Sequence, residues 1–162
     1  MNIELGKNID TRELETKIQK FWDENNFWDN DVNSNKKSFC VMMPPPNVTG
    51  NLHMGHALGN VLTDIVCRYK RMNGFDVLWQ PGTDHASIAT QLLVERDLSK
   101  RGINPHSLSL EEKLDCAWKW KADKGGQILN QLHILGVTPV WKRERFTMDE
   151  GLSRAVTTLF VT

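Results

Sequence analysis

The chain of 162 residues carries 20 basic and 20 acidic side chains, so its formal net charge is zero, and its mean hydropathy is −0.45. This length predicts about one domain, and the charge balance lacks the basic excess of a typical nucleic-acid-binding module. No run approaches the roughly 18 apolar residues of a membrane helix. The opening residues, 1–15, contain no apolar signal core.

The cysteine pattern excludes two further classes. Cys40, Cys67 and Cys116 are far apart and form no Cys-x-x-Cys pair, which is the spacing that a structural zinc site requires. An odd count in a chain of this kind is also atypical of a secreted disulfide framework. We therefore predict a soluble protein of the reducing cytoplasm, with no bound metal and no membrane partner.

The first predicted elements are a helix and a buried strand. Asp10 and Glu13 have the spacing of a capping box, and the apolar positions that follow have helical periodicity and end near Asn25. After a polar stretch, the apolar run Phe39–Met43 is stopped by three prolines. A short continuous run of this kind is typical of a buried parallel strand.

A glycine-containing loop and a second helix come next. The loop 44–50 leads into a helical pattern that reaches Met72, with Gly74 near the position that ends a helix. Val77–Trp79 then predicts a second short strand. Strand, loop, helix and strand form the opening crossover of a doubly wound sheet, whose ligands bind at the carboxyl ends of the strands. The predicted fold is therefore α/β.

Three more helices are predicted in the second half of the chain. One runs from Ile88 to about Lys100, and a long one begins at the capping box of Ser109 and Glu112. Thr147 and Glu150 have the same spacing, so Thr147 is predicted to cap the last helix. We find no internal repeat and no low-complexity segment.

A His-Met-Gly-His tetrad, residues 53–56, follows the loop at the start of the second helix. His53 and His56 are three residues apart, so on a helix they share one face, in the first turn, where unpaired N–H groups attract phosphate. Gly55 leaves the backbone open to an approaching purine base. The alternative is two ordinary surface histidines and a helical glycine. A glycine so early in a helix costs roughly 1 kcal/mol relative to alanine, so its presence calls for a reason and the alternative is weak.

Asp84 follows the second strand in a Gly-Thr-Asp-His turn. A carboxylate at this position could pair with the α-ammonium of an amino acid through a charge-assisted hydrogen bond. It could equally cap the following helix, and outside this context the cap is the better interpretation. His85 is interpreted as a packed histidine rather than as a partner of Asp84.

These segments together resemble the class I aminoacyl-tRNA synthetases, whose HIGH signature matches His53–His56. The stretch PPPNVTG before the tetrad, GTDHA at 82–86 and ERFTMDEG at 144–151 are similar to the valyl-tRNA synthetase family within that class. The resemblance covers nearly the whole chain. It implies the first half of a Rossmann-like parallel-sheet domain, preceded by an N-terminal helix.

The resemblance also implies an activity and its partners. Members of the family activate valine with ATP, as its Mg²⁺ complex, to valyl-adenylate, and transfer the valyl group to tRNA(Val); the intact proteins are monomeric. By position, the implied valine-binding residues are Pro44, Pro45, Asn47 and Asp84, and the implied ATP-binding residues are His53, Gly55 and His56. The two histidines are also the implied catalytic residues.

The chain departs from the family pattern in several respects. Ser87 stands where glycine is common, and Val140 precedes Trp141 where aspartate is common. The KMSKS signature, the editing insert and the anticodon-binding region are absent. We therefore expect an N-terminal helical extension, 1–36, and the N-terminal half of the catalytic domain, 37–162, of a longer synthetase.

Two other interpretations remain open at this point. The chain could be a truncated or degenerate nucleotide-binding module without ligase activity. It could also be a different nucleotidyltransferase with a HIGH-type tetrad, although neither the triple proline nor the GTDHA segment is needed to bind ATP alone.

Overall fold

The structure, a computed structural model, describes residues 10–162, so the predictions for residues 1–9 lie outside the described residues. It contains five helices of more than one turn and four short strands within that range. In chain order they are α1 Thr11–Asn25, β1 Ser38–Met42, α2 Met54–Met72, β2 Asp76–Gln80, β3 Gly82–Thr83, α3 Ile88–Lys100, α4 Leu110–Ile134, β4 Arg145–Phe146 and α5 Glu150–Val161. None of the helices in this range is both long and apolar enough to span a membrane.

The N-terminal helix α1 is capped as its sequence predicts, with one correction. Asp10 accepts hydrogen bonds from the backbone N–H groups of Arg12 and Glu13, and the helix ends where Asn26 enters the left-handed region at φ 50°. The predicted capping box is incomplete, because Glu13 pairs with Lys17 one turn along at 2.6 Å instead of returning to the cap. A single Asp cap still satisfies the unpaired donors of the first turn.

The predicted crossover is confirmed, but the prediction that its first strand is buried is wrong, because alternate residues of β1 are exposed and none is fully buried. β1 and β2 pair in parallel from Ser38 opposite Asp76 to Met42 opposite Gln80, and α2 connects them. Gly74, at φ 80°, lets the chain turn directly after this helix. The connection brings the carboxyl ends of both strands, and the loops that follow them, to one edge of the sheet.

The segment 76–84 is the central strand, interrupted only at Pro81. The carbonyl of Gln80 accepts from Met43 N, whereas those of Trp79 and Pro81 accept from Val140 N and Arg145 N. Because alternate carbonyls of a strand point to opposite sides, the chain before α2 lies on one side of the central strand. The chain after α4 lies on the other, where β3 and β4 pair in parallel.

The core lies between the sheet and α4. Trp79, Ile128 and Leu132 are fully buried there, together with Cys67 from α2. Burial raises the pKa of the Cys67 thiol to about 11, so this cysteine is an inert packing residue. The predicted helices α3 and α4 are confirmed, including the capping box of Ser109 and Glu112 at the start of α4, and the last helix α5 is present with Asp149 instead of Thr147 as its N-cap.

A polar cluster links α1, and the residues that directly follow it, to α2. Asp64 is 7% exposed and accepts from Arg68 Nε at 2.6 Å and from the backbone N–H of Thr138 at 2.9 Å. The guanidinium of Arg68 lies over the rings of Trp22 and Trp28, 4.9 and 5.0 Å from their centroids. Such contacts stabilise a desolvated cation. Arg68 therefore has a structural role in docking the N-terminal helix.

Asp64→Ala is expected to lower the free energy of unfolding by about 3 kcal/mol, because it leaves the Arg68 charge and the donors of Thr138 without their partner. The matched control is Asp97→Ala. Asp97 forms the same i, i+4 pair with Arg101, but on an exposed helix face, where such pairs contribute at most about 1 kcal/mol. Urea denaturation followed by tryptophan fluorescence measures both, and equal losses would contradict the assignment.

Candidate active site at the carboxyl edge of the sheet

The loop that follows β1 is held in place by backbone hydrogen bonds along its length. Asp84 N donates to Pro46 O at 2.8 Å, and Val48 N donates to Asp84 O at 2.9 Å, so Asn47 and Asp84 face each other as an isolated parallel bridge. From the other side, α4 contributes Trp120, whose Nε1 donates to Val48 O at 2.7 Å. The loop is therefore a rigid wall rather than a mobile connection.

The predicted valine residues come together along this wall. Pro44, Pro45 and Asn47 are exposed. A Cβ placed on Gly82 would lie 4.0 Å from Pro45 Cβ and only 2.9 Å from Arg145 O. Gly82 is thus required by the close approach of β4, and Pro45 lies beside the central strand at this residue.

The two histidines of the tetrad form a capping box at the start of α2. His53 is the N-cap and its Nδ1 accepts from Gly55 N at 3.1 Å, while His56 Nδ1 accepts from His53 N at 3.2 Å. The rings lie against each other with their centroids 3.8 Å apart. Because Nδ1 is an acceptor in both rings, each neutral imidazole carries its proton on Nε2. Two N–H donors are thus available at a helix N-terminus.

The tetrad glycine has a role in this arrangement that the sequence did not reveal. A Cβ on Gly55 would meet His53 Cε1 at 3.0 Å and His53 Nδ1 at 3.1 Å, which is closer than side chains normally approach. Glycine at this position therefore makes room for the capping ring itself. The prediction that Gly55 also leaves the backbone open to a purine base is not tested by this contact and stays a prediction.

Asp84 is not a helix cap, so that alternative is wrong. α3 begins at Ile88, and its N-cap is Ser87 without a side-chain hydrogen bond. The Asp84 carboxylate is one-third exposed and accepts from the hydroxyl of Thr147 at 2.8 Å, with His85 Nδ1 3.4 Å away. His85 is therefore a partner of Asp84 as well as a packed ring against Phe146.

Thr147 was misassigned by its local pattern. The N-cap of α5 is Asp149, which accepts from Leu152 N at 2.9 Å, and Thr147 lies before the helix with its hydroxyl at Asp84. Nothing near Thr147 in the sequence signals this contact, since it depends on the parallel pairing of β3 with β4. Trp120 and Gln131 of α4 were also missed, because their contacts join α4 to a loop more than 70 residues earlier in the chain; Gln131 accepts from Leu52 N at 2.8 Å.

Both departures from the family pattern have local explanations. Ser87 adopts φ 43° and ψ −112°, a region in which glycine is the unstrained residue, so glycine is the residue that this turn favours. Val140 precedes the 3₁₀ turn Trp141–Arg143 and has no capping hydrogen bond, but its side chain is fully buried. An aspartate there would supply a cap where this chain supplies packing.

A cavity of about 430 Å³ opens beside the site, between α3 and α4. Its lining includes His85, Val94, Leu98, Leu114, Trp118 and Phe146. Of the residues predicted for valine or ATP, none lines it. Among residues 10–162, no group of three or more His, Cys, Asp or Glu side chains is arranged to hold a metal ion.

The comparison with known protein families decides which family this chain belongs to. The model of the class I tRNA synthetases (I, L, M and V) matches residues 17–162. The chain belongs to that family. Residues 17–162 contain the tetrad, the proline loop and the Asp84 turn, so every predicted site residue of this class I synthetase chain falls within the match.

Individual relatives agree with this assignment. The chain is 54% identical to a valine–tRNA ligase of Syntrophotalea carbinolica over its whole length and 18% of that protein, and 54% identical to a valine–tRNA ligase of Geobacter sulfurreducens over 98% of the chain and 18% of that protein. It thus spans about a fifth of the length of these curated relatives.

A solved structure shows the same fold. The LeuRS in the ternary complex of Agrobacterium radiobacter K84 agnB2 LeuRS, tRNA and LeuAMS superposes with a TM-score of 0.76 at 25% identity, over 95% of this chain and 18% of that one. The Rossmann-like fold expected from the sequence is therefore confirmed.

The pairing of the two rings predicts how His56 titrates. Desolvation by burial, and next the neighbouring His53, lower the pKa of His56 from its ordinary value of 6.5. Its stabilising contribution is therefore fully present above pH 6.5 and is lost as the pH falls through the lower folded-state pKa. An NMR titration of the imidazole resonances should give a pKa for His56 below 6.5, and His53→Asn should raise it. A value at or above 6.5 in the parent chain would contradict the paired geometry.

Proposed function

We propose that this chain carries the ATP and amino-acid half of the active site of a valine–tRNA ligase. The full-length protein would activate valine with ATP to valyl-adenylate and transfer the valyl group to tRNA(Val). Residues 1–36 would form an N-terminal helical extension, and 37–162 the first half of the catalytic domain. The relatives named valine–tRNA ligase, at 54% identity, support valine over other amino acids.

The observation that carries the ATP assignment is the state of the two imidazole rings. Both Nδ1 atoms are used inside the capping box, which leaves the two Nε2–H groups of His53 and His56 to donate to phosphate oxygens. They stand at the positive end of α2, where phosphate binds favourably. ATP, as its Mg²⁺ complex, would be held there together with the open backbone at Gly55. Donors fixed before the reaction stabilise the charge that develops on the α-phosphate.

The valine assignment depends on the wall of the loop after β1. Pro44, Pro45 and Asn47 would line the side-chain pocket, and Asp84 would bind the α-ammonium group. Asp84 lies at the carboxyl end of the central strand, where ligands bind in open α/β sheets. Its carboxylate is partly exposed, so it is open to a small cationic group while its backbone remains fixed. Valine held there would present its carboxylate toward the ATP side of the loop.

The first test concerns His56 in the full-length protein that contains this sequence. His56→Asn is expected to slow valine-dependent ATP–pyrophosphate exchange by about a hundredfold or more, the loss measured when one preorganised oxyanion donor is removed. The apparent KM for valine should stay at the parent value, since the ring is assigned to phosphate. His106→Asn, at an exposed position away from the site, is the control. An unchanged exchange rate in His56→Asn would refute the phosphate assignment.

The second test separates the amino-acid site from the ATP site. Asp84→Asn keeps the shape of the side chain and removes its charge, and hydrogen bonds to charged groups contribute roughly 1.5–3 kcal/mol. The KM for valine should rise by about tenfold or more with little change in the KM for ATP. Asp97→Asn on the exposed face of α3 serves as the control. A KM for valine equal to that of the parent would exclude Asp84 as the ammonium ligand.

The rival function, a nucleotide-binding module without ligase activity, predicts a different outcome. Such a module would bind ATP but give no exchange with any amino acid. Valine-dependent exchange by the parent protein, abolished by His56→Asn, supports the ligase. Binding of ATP without exchange supports the module.

A further inference from the structure

Among residues 10–162, Thr147 is the one residue outside the predicted site whose hydroxyl contacts Asp84 Oδ1. Its Oγ1 lies 2.8 Å from Asp84 Oδ1, 2.9 Å from the backbone nitrogen of His85 and 2.6 Å from His85 Nδ1. Three polar atoms from two consecutive residues of the Asp84 turn thus converge on one oxygen. That oxygen comes from a segment more than 60 residues later in the chain.

The chemistry of the four groups fixes the direction of each hydrogen bond. A hydroxyl has one proton to donate and two lone pairs that accept. The His85 backbone N–H can only donate to it, and the Asp84 carboxylate can only accept from it. The remaining lone pair of Thr147 therefore accepts from His85 Nδ1–H. Every hydrogen-bonding capacity of the hydroxyl is used, so the group has a single favourable orientation.

This arrangement fixes one oxygen of the carboxylate and leaves the other open. Asp84 Oδ1 is held by Thr147, whereas Oδ2 makes no hydrogen bond to another described side chain or backbone group. The backbone on both sides is also fixed, through the bridge to Asn47. A carboxylate held in this way presents Oδ2 in a defined direction, as a directional ligand for a cation requires.

The pairing of β4 with β3 delivers the hydroxyl to this place. Thr147 N donates to Thr83 O at 3.1 Å, which continues the β3–β4 ladder by one residue. The hydroxyl is not needed to begin the next helix, because Asp149 caps α5. Its contacts are therefore directed to the Asp84 turn.

We propose that Thr147 is a positioning residue for amino-acid binding: its hydroxyl orients the Asp84 carboxylate toward the α-ammonium group of the substrate. This inference rests on the proposed function of Asp84. It adds a residue from the segment after α4, together with the Nδ1–H tautomer of His85, to the amino-acid site. The class of ligand that the assembly recognises is a primary ammonium group.

The test uses the full-length protein and two substitutions at one position. Thr147→Val keeps the shape and removes the hydroxyl; it should raise the KM for valine roughly tenfold, the order of magnitude of a hydrogen bond to a charged group. The KM for ATP and kcat should change less than twofold. Thr147→Ser keeps the hydroxyl and should restore the KM for valine. Thr16→Val, on the exposed face of α1, is the control for loss of a threonine hydroxyl.

A double-mutant cycle distinguishes action through Asp84 from a general structural effect. If Thr147 acts by orienting the carboxylate, Thr147→Val should have little further effect on the KM for valine when Asp84 is already Asn. Full additivity, or a Thr147→Ser variant as impaired as Thr147→Val, would overturn the proposal. If Thr147→Val does not fold, Thr147→Ala removes the same hydroxyl without introducing new atoms, and the same comparison applies.

The outcomes also separate this inference from the function on which it rests. A normal KM for valine in Asp84→Asn refutes the ammonium assignment itself, whatever Thr147 does. A raised KM in Asp84→Asn with a normal KM in Thr147→Val refutes only the positioning role.

Discussion

The backbone of residues 79–84, the second part of the central strand, is the constraint on which the site depends. Its alternate carbonyl groups bond to the chain before α2 on one side and to the chain after α4 on the other. Three segments that are distant in sequence are thereby fixed at one edge: the proline loop, the Asp84 turn and the segment around Thr147. A shift of any strand by one residue would turn its side chains to the opposite face, so this ladder sets which groups can meet a ligand.

The sequence predicts the helices and strands well, because the signals for them are local. The apolar run before the prolines, the glycine after α2 and the capping box at Ser109 each act within a few residues of the structure that they specify. The parallel pairing of β1 with β2 also follows, since a helix of this length between two apolar strands leaves few other connections. All of these elements are present.

The side-chain contacts of the site were only partly predictable. Thr147 and Glu150 have the spacing of a cap, and local reasoning therefore placed Thr147 on a helix. Asp149 lies two residues later and is an equally good cap, and the strand pairing then leaves the hydroxyl of Thr147 to Asp84. A contact between residues 63 apart in sequence depends on the register of two strands, which no pattern within a short window encodes. The mutual capping of His53 and His56 is different, because its three-residue spacing is visible in the sequence.

The effect of Ser87, a departure from the family pattern, is confined to the turn that precedes α3. Two consecutive non-glycine residues, Ala86 and Ser87, have positive φ between the Asp84 turn and α3, and each conformation of this kind costs on the order of 1–3 kcal/mol when its side chain is not glycine. The hydrogen bonds of the residues around Ala86 and Ser87 must offset this conformational cost. Thr90 supplies one of them, since its hydroxyl donates to His85 O at 2.6 Å. The backbone of Asp84 supplies two more, through its hydrogen bonds to Pro46 and Val48. The backbone strain therefore lies in the turn between Asp84 and α3. The orientation of Asp84 is set instead by its contacts with Asn47 and Thr147. A serine at position 87 is therefore compatible with an intact carboxylate site.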